Sequence, residues 1–206
     1  MLDYTLISLF IPIYLLIAAT PGMCMTLALT LGMSIGVRRT LWMMIGELTG
    51  VALVSVLAVV GVASLMLNYP TVFDVFKYVG GAYLVYLGSL QWLMRGKMTI
   101  DHNKDSQHIT ARELILQGFI TAIANPKGWA FTVSLLPSFI NPDLTVTPQV
   151  ISLVIIILAC ETIFMTIYAT GGRTLGKLLG KRQNVRLINR ISGSLMIIIG
   201  FWLAFT

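Results

Sequence analysis

The apolar run from Leu114 to Ile140 is broken at its middle by Ala124-Asn125-Pro126-Lys127-Gly128. A lysine at that depth in a hydrocarbon layer costs about 3 kcal/mol on insertion scales, and a proline there frees backbone carbonyls that lipid cannot satisfy. The same figure occurs near the start, where Ala19-Thr20-Pro21-Gly22 interrupts the apolar run that begins at Tyr4. Interrupted hydrophobic segments in corresponding positions of two halves point to a binding site near the bilayer midplane. The rest of the chain reads as support for these two breaks.

Of 206 residues, 57% are hydrophobic and 11% charged, where a soluble domain carries about 25% charged residues. The composition is that of a polytopic membrane protein, with a core built helix against helix, for which the 18 glycines supply close approach. The net charge of +6 is distributed as membrane orientation requires rather than as a nucleic-acid footprint. Cys24 and Cys160 lie inside apolar runs and read as small buried residues rather than a disulfide framework. With Asp3 and no basic residue ahead of the first apolar run, the cationic region of a signal peptide is missing, and the first helix is expected to stay attached.

Six candidate spans follow, at roughly 4–35, 41–67, 71–94, 113–140, 149–171 and 187–205, each reaching the ~20 residues that a crossing needs. The first is too long for one straight crossing: at ~1.5 Å per residue it would measure ~48 Å against ~30 Å of hydrocarbon. It must tilt, kink or break, and Pro21-Gly22 sits near its middle. Arg38 and Arg39 follow span 1; Arg95, Lys97, Lys104 and Arg112 follow span 3; Arg173, Lys177, Lys181, Arg182, Arg186 and Arg190 follow span 5. The opposite loops hold Lys77 at a span edge and no basic residue from Asn141 to Gln149. The positive-inside rule therefore places the loops at 36–40, 95–112 and 172–190 in the cytoplasm and both termini outside.

Spans 1–3 and 4–6 then run in opposite directions. The expected fold is a single all-α membrane domain over 1–206, made of inverted three-helix repeats at 1–94 and 113–206 that are joined by a cytoplasmic loop at 95–112. Pro21 lies midway between Tyr4 and Arg38, and Pro126 midway between Arg112 and Asn141, so both breaks are expected at mid-depth. The joining loop carries His102 and His108, which lack the spacing that a metal site wants. It reads as a solvated loop, and no metal or cofactor is expected.

An intramembrane ionisable residue is a functional candidate by default. Lys127 cannot snorkel, because its side chain reaches ~6 Å and either interface is ~15 Å away. Glu161, deep in span 5, and Glu47, nearer the cytoplasmic end of span 2, are its natural partners. One lysine and two carboxylates leave a surplus negative charge that a proton or an ammonium group could fill. Glu47 reads equally as a salt bridge to Arg38 or Arg39 at the rim. Asn125 can cap a half-helix and offers a polar ligand contact. Gly32/Gly36 and Gly46/Gly50 are packing spacings, and Tyr83, Tyr86 and Trp92 read as packing and interface belt. An enzyme is excluded: Ser134 lies two turns, ~10 Å, from Lys127, too far to share a proton, and the spans hold no metalloprotease spacing or carboxylate cluster.

The ordered set of motifs resembles the LysE-type family of bacterial amino-acid exporters, over nearly the whole chain. The set comprises Pro21-Gly22 with the Gly36 turn, Gly46 and Gly50, KYVGGAYLVYLG from Lys77 to Gly88, and Asn125-Pro126-Lys127 with LPSFI from Leu136 to Ile140. Glu161 and GSLMIIIG from Gly193 to Gly200 complete it. The resemblance implies a six-helix chain of the bacterial inner membrane that exports amino acids or related small solutes, driven by the proton gradient. It makes Pro21, Gly22, Asn125, Pro126 and Lys127 the substrate site and Glu161 its acidic partner. Met23 stands where the family often has a second proline, and the acidic position occupied by Glu47 varies among the family's members.

The residues and the resemblance together point to an alternating-access exporter of small zwitterionic solutes. Freed N–H groups at a half-helix start, with Lys127, would hold a carboxylate, while Glu161 and freed carbonyls hold an ammonium. Glu161 and Glu47 are the coupling candidates, and substrate, protons and lipid are the expected partners. A passive channel or facilitator whose pore is lined by the same breaks, an exporter of another small cation or metabolite, and a membrane scaffold stay open. So does pairing with a second copy.

Overall fold

The computed structural model describes residues 2–68, 70–93, 109–171 and 182–205. The basic stretches expected at 95–108 and 172–181, with His102 and His108, lie outside the described residues, as does the side chain of Lys77. Within the described residues the chain is helical, without strands. Helices α1 (Tyr4–Ala19) and α2 (Met23–Ser34) are followed by α3 (Val37–Asn68) and α4 (Pro70–Leu93). Then come α5 (Ala111–Ile123), α6 (Pro126–Leu135), a 3-10 turn at Leu136–Phe139, α7 (Val146–Thr170) and α8 (Arg182–Phe205).

The helix ends follow local chemistry. The Asp3 carboxylate accepts the N–H groups of Thr5 and Leu6 at 3.1 and 3.2 Å and so caps α1. A third bond, from Asn141 Nδ2 at 3.0 Å, ties it to the segment before α7. Thr110 and Glu113 form a reciprocal capping box at the start of α5. Gly36, at φ +83°, makes the left-handed turn that ends α2 and lets α3 begin at once. Gln149 is 2% exposed. It accepts from Asn141 N at 2.9 Å and donates to the carbonyls of Asn141 and Thr145, closing the loop that precedes α7.

Helix pairs meet at glycines. α3 lies on α5 so closely that a Cβ on Gly46 would strike the Ile115 carbonyl and one on Gly118 the Met43 carbonyl. α4 lies on α8, where a Cβ on Gly88 would come within 2.6 Å of Gly193 O and one on Gly193 within 2.5 Å of Gly88 O. α7 packs against α1, α2 and α3. Two apolar clusters result. One gathers Phe10, Tyr14, Ile17, Phe131, Leu135, Leu153 and Ile157; the other gathers Met25, Leu29, Met43, Leu114, Met165 and Ala169. Glu161 falls between the parts of α7 that serve the two clusters, and the chain break at residues 20–22 falls between the parts of α1 and α2 that do the same. Polar groups thus concentrate at the seam between two cores.

The expected span 1 is two helices, bent by 54° at the break. Among the described residues, two helices are long and apolar enough to cross a membrane, within Val37–Val59 and Val146–Thr170, and the bent α1–α2 pair makes a third if it is one span. The expected span 4 is likewise divided, into α5, α6 and the 3-10 turn.

Candidate functional site

Both breaks have a local cause. Pro21 cannot donate to the turn before it, so α1 stops and Thr20 turns extended, at φ −76° and ψ 133°. Gly22 is the N-cap of α2 and offers no side chain to its first N–H groups. Asn125 caps α6, its Oδ1 accepting from Lys127 N at 3.1 Å, and Pro126 occupies the first helical position, where a missing N–H costs nothing.

The two breaks meet. Lys127 Nζ donates to the carbonyls of Ile17 at 3.0 Å and Thr20 at 3.1 Å, and to the Thr20 hydroxyl. An ammonium has three N–H groups, so its donors are all engaged by the C-terminal end of α1. A cation there satisfies orphan carbonyls and complements the negative end of the helix dipole. Sequence reading aimed Lys127 at Glu161 or Glu47; its hydrogen bonds go instead to the freed backbone of the other break. Tyr168 of α7 donates to Ala19 O at 3.0 Å and completes the cap of α1.

Glu161 accepts from the Tyr14 hydroxyl at 3.0 Å. Tyr14, Thr20, Gly22, Cys24, Asn125, Lys127 and Glu161 line one cavity of about 40 Å³. A water needs about 10–15 Å³ of such space, so the cavity in this conformation admits a few waters and must widen to take an amino acid. Glu47 is 1% exposed and does not line the cavity. Its neighbour is the Cys24 thiol, which also receives Asn125 Nδ2 at 3.5 Å. The rim salt bridge is therefore not the arrangement found: Glu47 is inside, against α2. Arg39 reaches the Ile109 carbonyl.

Of the residues that the sequence singled out, Gly22, Asn125, Lys127 and Glu161 share the cavity, with Pro21 and Pro126 forming the breaks around it. Tyr83, Tyr86 and Trp92 lie away from it on α4, with Trp92 donating to Ser194 at 2.9 Å and the Arg190 guanidinium over its ring. Sequence reasoning missed Tyr14, Thr20, Cys24 and Tyr168. Tyr14 and Tyr168 carry a hydroxyl in apolar runs, and that is the signal that could have found them, because such a group in lipid needs a partner.

An all-helical fold with membrane-length apolar helices and a charged cavity between two helix breaks defines an integral membrane protein with an internal polar site. The model of the LysE type translocator family matches residues 15–206, and the chain belongs to that family. It is 30% identical to the homoserine/homoserine lactone efflux protein of Salmonella typhi over 77% of this chain and 76% of that one. Identity to the protein of the same name from Salmonella typhimurium is 29% over the same shares. It is also 30% identical to an uncharacterized membrane protein of Vibrio cholerae, over 81% of this chain and 80% of the relative. No solved structure matches the chain. The chain is accordingly a translocator of the membrane, and the family supports amino-acid export rather than an enzymatic reaction.

Proposed function

We propose that the chain exports amino acids or closely related zwitterionic solutes from the cytoplasm, by proton-coupled alternating access around the cavity at the two breaks. The observation that carries this reading is the meeting of the breaks: Lys127 of α6 bonds to the last carbonyls of α1, beside a cavity that also holds Glu161. In this reading the substrate's ammonium faces Glu161, which has acceptor capacity beyond its single bond to Tyr14. Its carboxylate faces the uncapped start of α2.

Lys127 fastens α6 to α1, and its release from Ile17 and Thr20 widens the cavity for substrate and frees its charge for the carboxylate. The α1–α2 and α5–α6 pairs are the two broken crossings of an inverted repeat of six spans. The three basic loops face the cytoplasm of a bacterial inner membrane and both termini face outward. Homoserine and its lactone, named for the Salmonella relatives, are the first substrates to test.

Amino-acid pools inside cells and in the medium, with and without the chain, test this. Expression should lower internal homoserine and raise it in the medium against the gradient, and an uncoupler should abolish the difference. Unchanged pools for homoserine, its lactone and the protein amino acids would contradict export. Equilibration that ignores the uncoupler would point to a facilitator.

A further inference from the structure

The site has two carboxylates, and their surroundings differ. Glu161 lines the cavity and keeps one bond, from Tyr14. Glu47 is closed off: it is 1% exposed, its Oε2 has no hydrogen-bond partner among the described residues, and α5 presses on its own turn, where a Cβ on Gly118 would sit 2.9 Å from Glu47 N. Between Glu47 and the cavity stands the Cys24 thiol, which lines the cavity on one side and touches the carboxylate on the other.

We propose that Glu47 carries the coupling proton and that Glu161 meets the substrate's ammonium. This rests on the transport reading above, in which Glu161 faces the ammonium, and adds which group carries the proton. A buried carboxylate oxygen without a partner is costly as an anion, and some positive charge must reach it. An amino-acid ammonium brings its whole carbon skeleton and cannot enter a place already filled by α2 and α5. A proton needs no room.

The charges around Glu47 permit this division. Glu161 of α7, Cys24 of α2 and Tyr14 of α1 reach it electrostatically. Lys127 of α6 acts on Glu161 and Cys24 while its three donors are held by α1. On α5 the charged groups are Arg112 and Glu113 in the first turn, where Glu113 is bound to Thr110. On α3 itself Arg39 lies about two turns earlier, roughly 12 Å along the axis.

The step is simple. Hydronium in outside water gives its proton to Glu47, one O–H bond breaking as another forms, and the Glu47 O–H bond breaks in turn when water on the cytoplasmic side takes the proton. Because the two carboxylates feel each other's charge, an ammonium on Glu161 removes part of the field that retains a proton on Glu47, and the reverse holds by linkage. Substrate and proton therefore exclude one another, which is the relationship an exchanger needs.

Purified full-length chain in proteoliposomes tests it, with radiolabelled homoserine as probe. Two quantities are read: exchange of labelled for unlabelled homoserine without a pH gradient, and accumulation driven by a one-unit gradient, which sustains at most about a tenfold ratio at one proton per substrate. Glu47→Gln keeps the side chain's shape. It should retain exchange within about tenfold of wild type, flatten the pH dependence of that exchange, and lose the driven accumulation. Glu47→Asp, which still titrates, should restore driven accumulation and so separates a lost proton site from a misfolded one. Glu161→Gln should lose exchange and accumulation together. Wild-type drive in Glu47→Gln, or retained exchange with lost drive in Glu161→Gln, would overturn the assignment while leaving export intact. Wild-type exchange that ignores the pH gradient would overturn proton coupling and this assignment together.

Discussion

Lys127 Nζ lies 3.1 Å from the Thr20 carbonyl and so joins two chain breaks that are 107 residues apart in sequence. Each break exposes what the other needs. Pro21 leaves the end of α1 short of backbone donors, and Asn125-Pro126 starts a new helix one residue before a half-buried cation. Neither break is satisfied alone in lipid, so they specify each other.

Lys127→Met removes that cation and takes the donor from the Thr20 carbonyl, while Ile17 O keeps the N–H and hydroxyl of Thr20. An unsatisfied buried polar group costs about 1–3 kcal/mol, so the variant should melt measurably lower in detergent while still reaching the membrane at wild-type abundance, because a buried charge has been removed. Export should vanish. A stable variant with full export would show that the two breaks do not depend on this contact.

The α3–α5 contact makes a sharper stability prediction. Gly118→Val forces a side chain into the Met43 carbonyl and should cost about 1–3 kcal/mol or more, as overpacking does. Gly61, on the same α3, has open space among the described residues where a Cβ would stand. Gly61→Ala should raise stability by roughly 0.5–1 kcal/mol, the helix-interior difference between the two residues. Thermal unfolding of both variants in one detergent checks the pair.

Topology is tested by labelling in a chain whose native Cys24 and Cys160 are replaced. Asp143→Cys should react in intact cells with a thiol reagent that cannot cross the membrane, and Asn103→Cys only after permeabilisation, as the basic loops require. The opposite pattern would reverse the orientation.

Asp3 gives a pH prediction at the start of α1. Its bond from Asn141 and the N–H groups of Leu6 and Thr5 hold its carboxyl below the usual carboxylate range. A depressed folded value means that the cap is fully present above the unfolded value near pH ~4 and is lost as pH falls through the folded one. Protection of the Thr5 and Leu6 amides, read as exchange relative to the unfolded chain at the same pH, should therefore fall below pH ~4, and Asn141→Ala should bring that onset to higher pH. An onset unmoved by Asn141→Ala would remove that residue from the cap.

The helical class and the two breaks were legible in the sequence because Pro21, Gly22, Pro126 and a mid-span lysine are local violations of an apolar pattern. Which groups repair the violations was not legible. The partners of Lys127 are mostly backbone carbonyls, which every residue has, so no residue type announces Ile17 or Thr20. Glu47 stayed open between a coupling role and a rim salt bridge for a related reason. Counting from Arg38 and Arg39 along one helix places it near the rim, whereas its burial is decided by α5, which approaches because Gly46 and Gly118 face each other's helices. Tyr14 reaches Glu161 across 147 residues, a pairing fixed only once α1 lies on α7.

The claim that substrate occupies the cavity between the breaks is tested most directly at Cys24, whose thiol lines that cavity. In a chain carrying Cys160→Ala, the rate at which a small membrane-permeant maleimide alkylates Cys24 should fall about tenfold at homoserine concentrations ten times the half-saturating value for export, as simple occupancy requires. N-acetylhomoserine, which lacks the ammonium, should give no protection at the same concentration. An alkylation rate that homoserine leaves unchanged, in a chain that is exporting it, would place the substrate elsewhere and contradict the account.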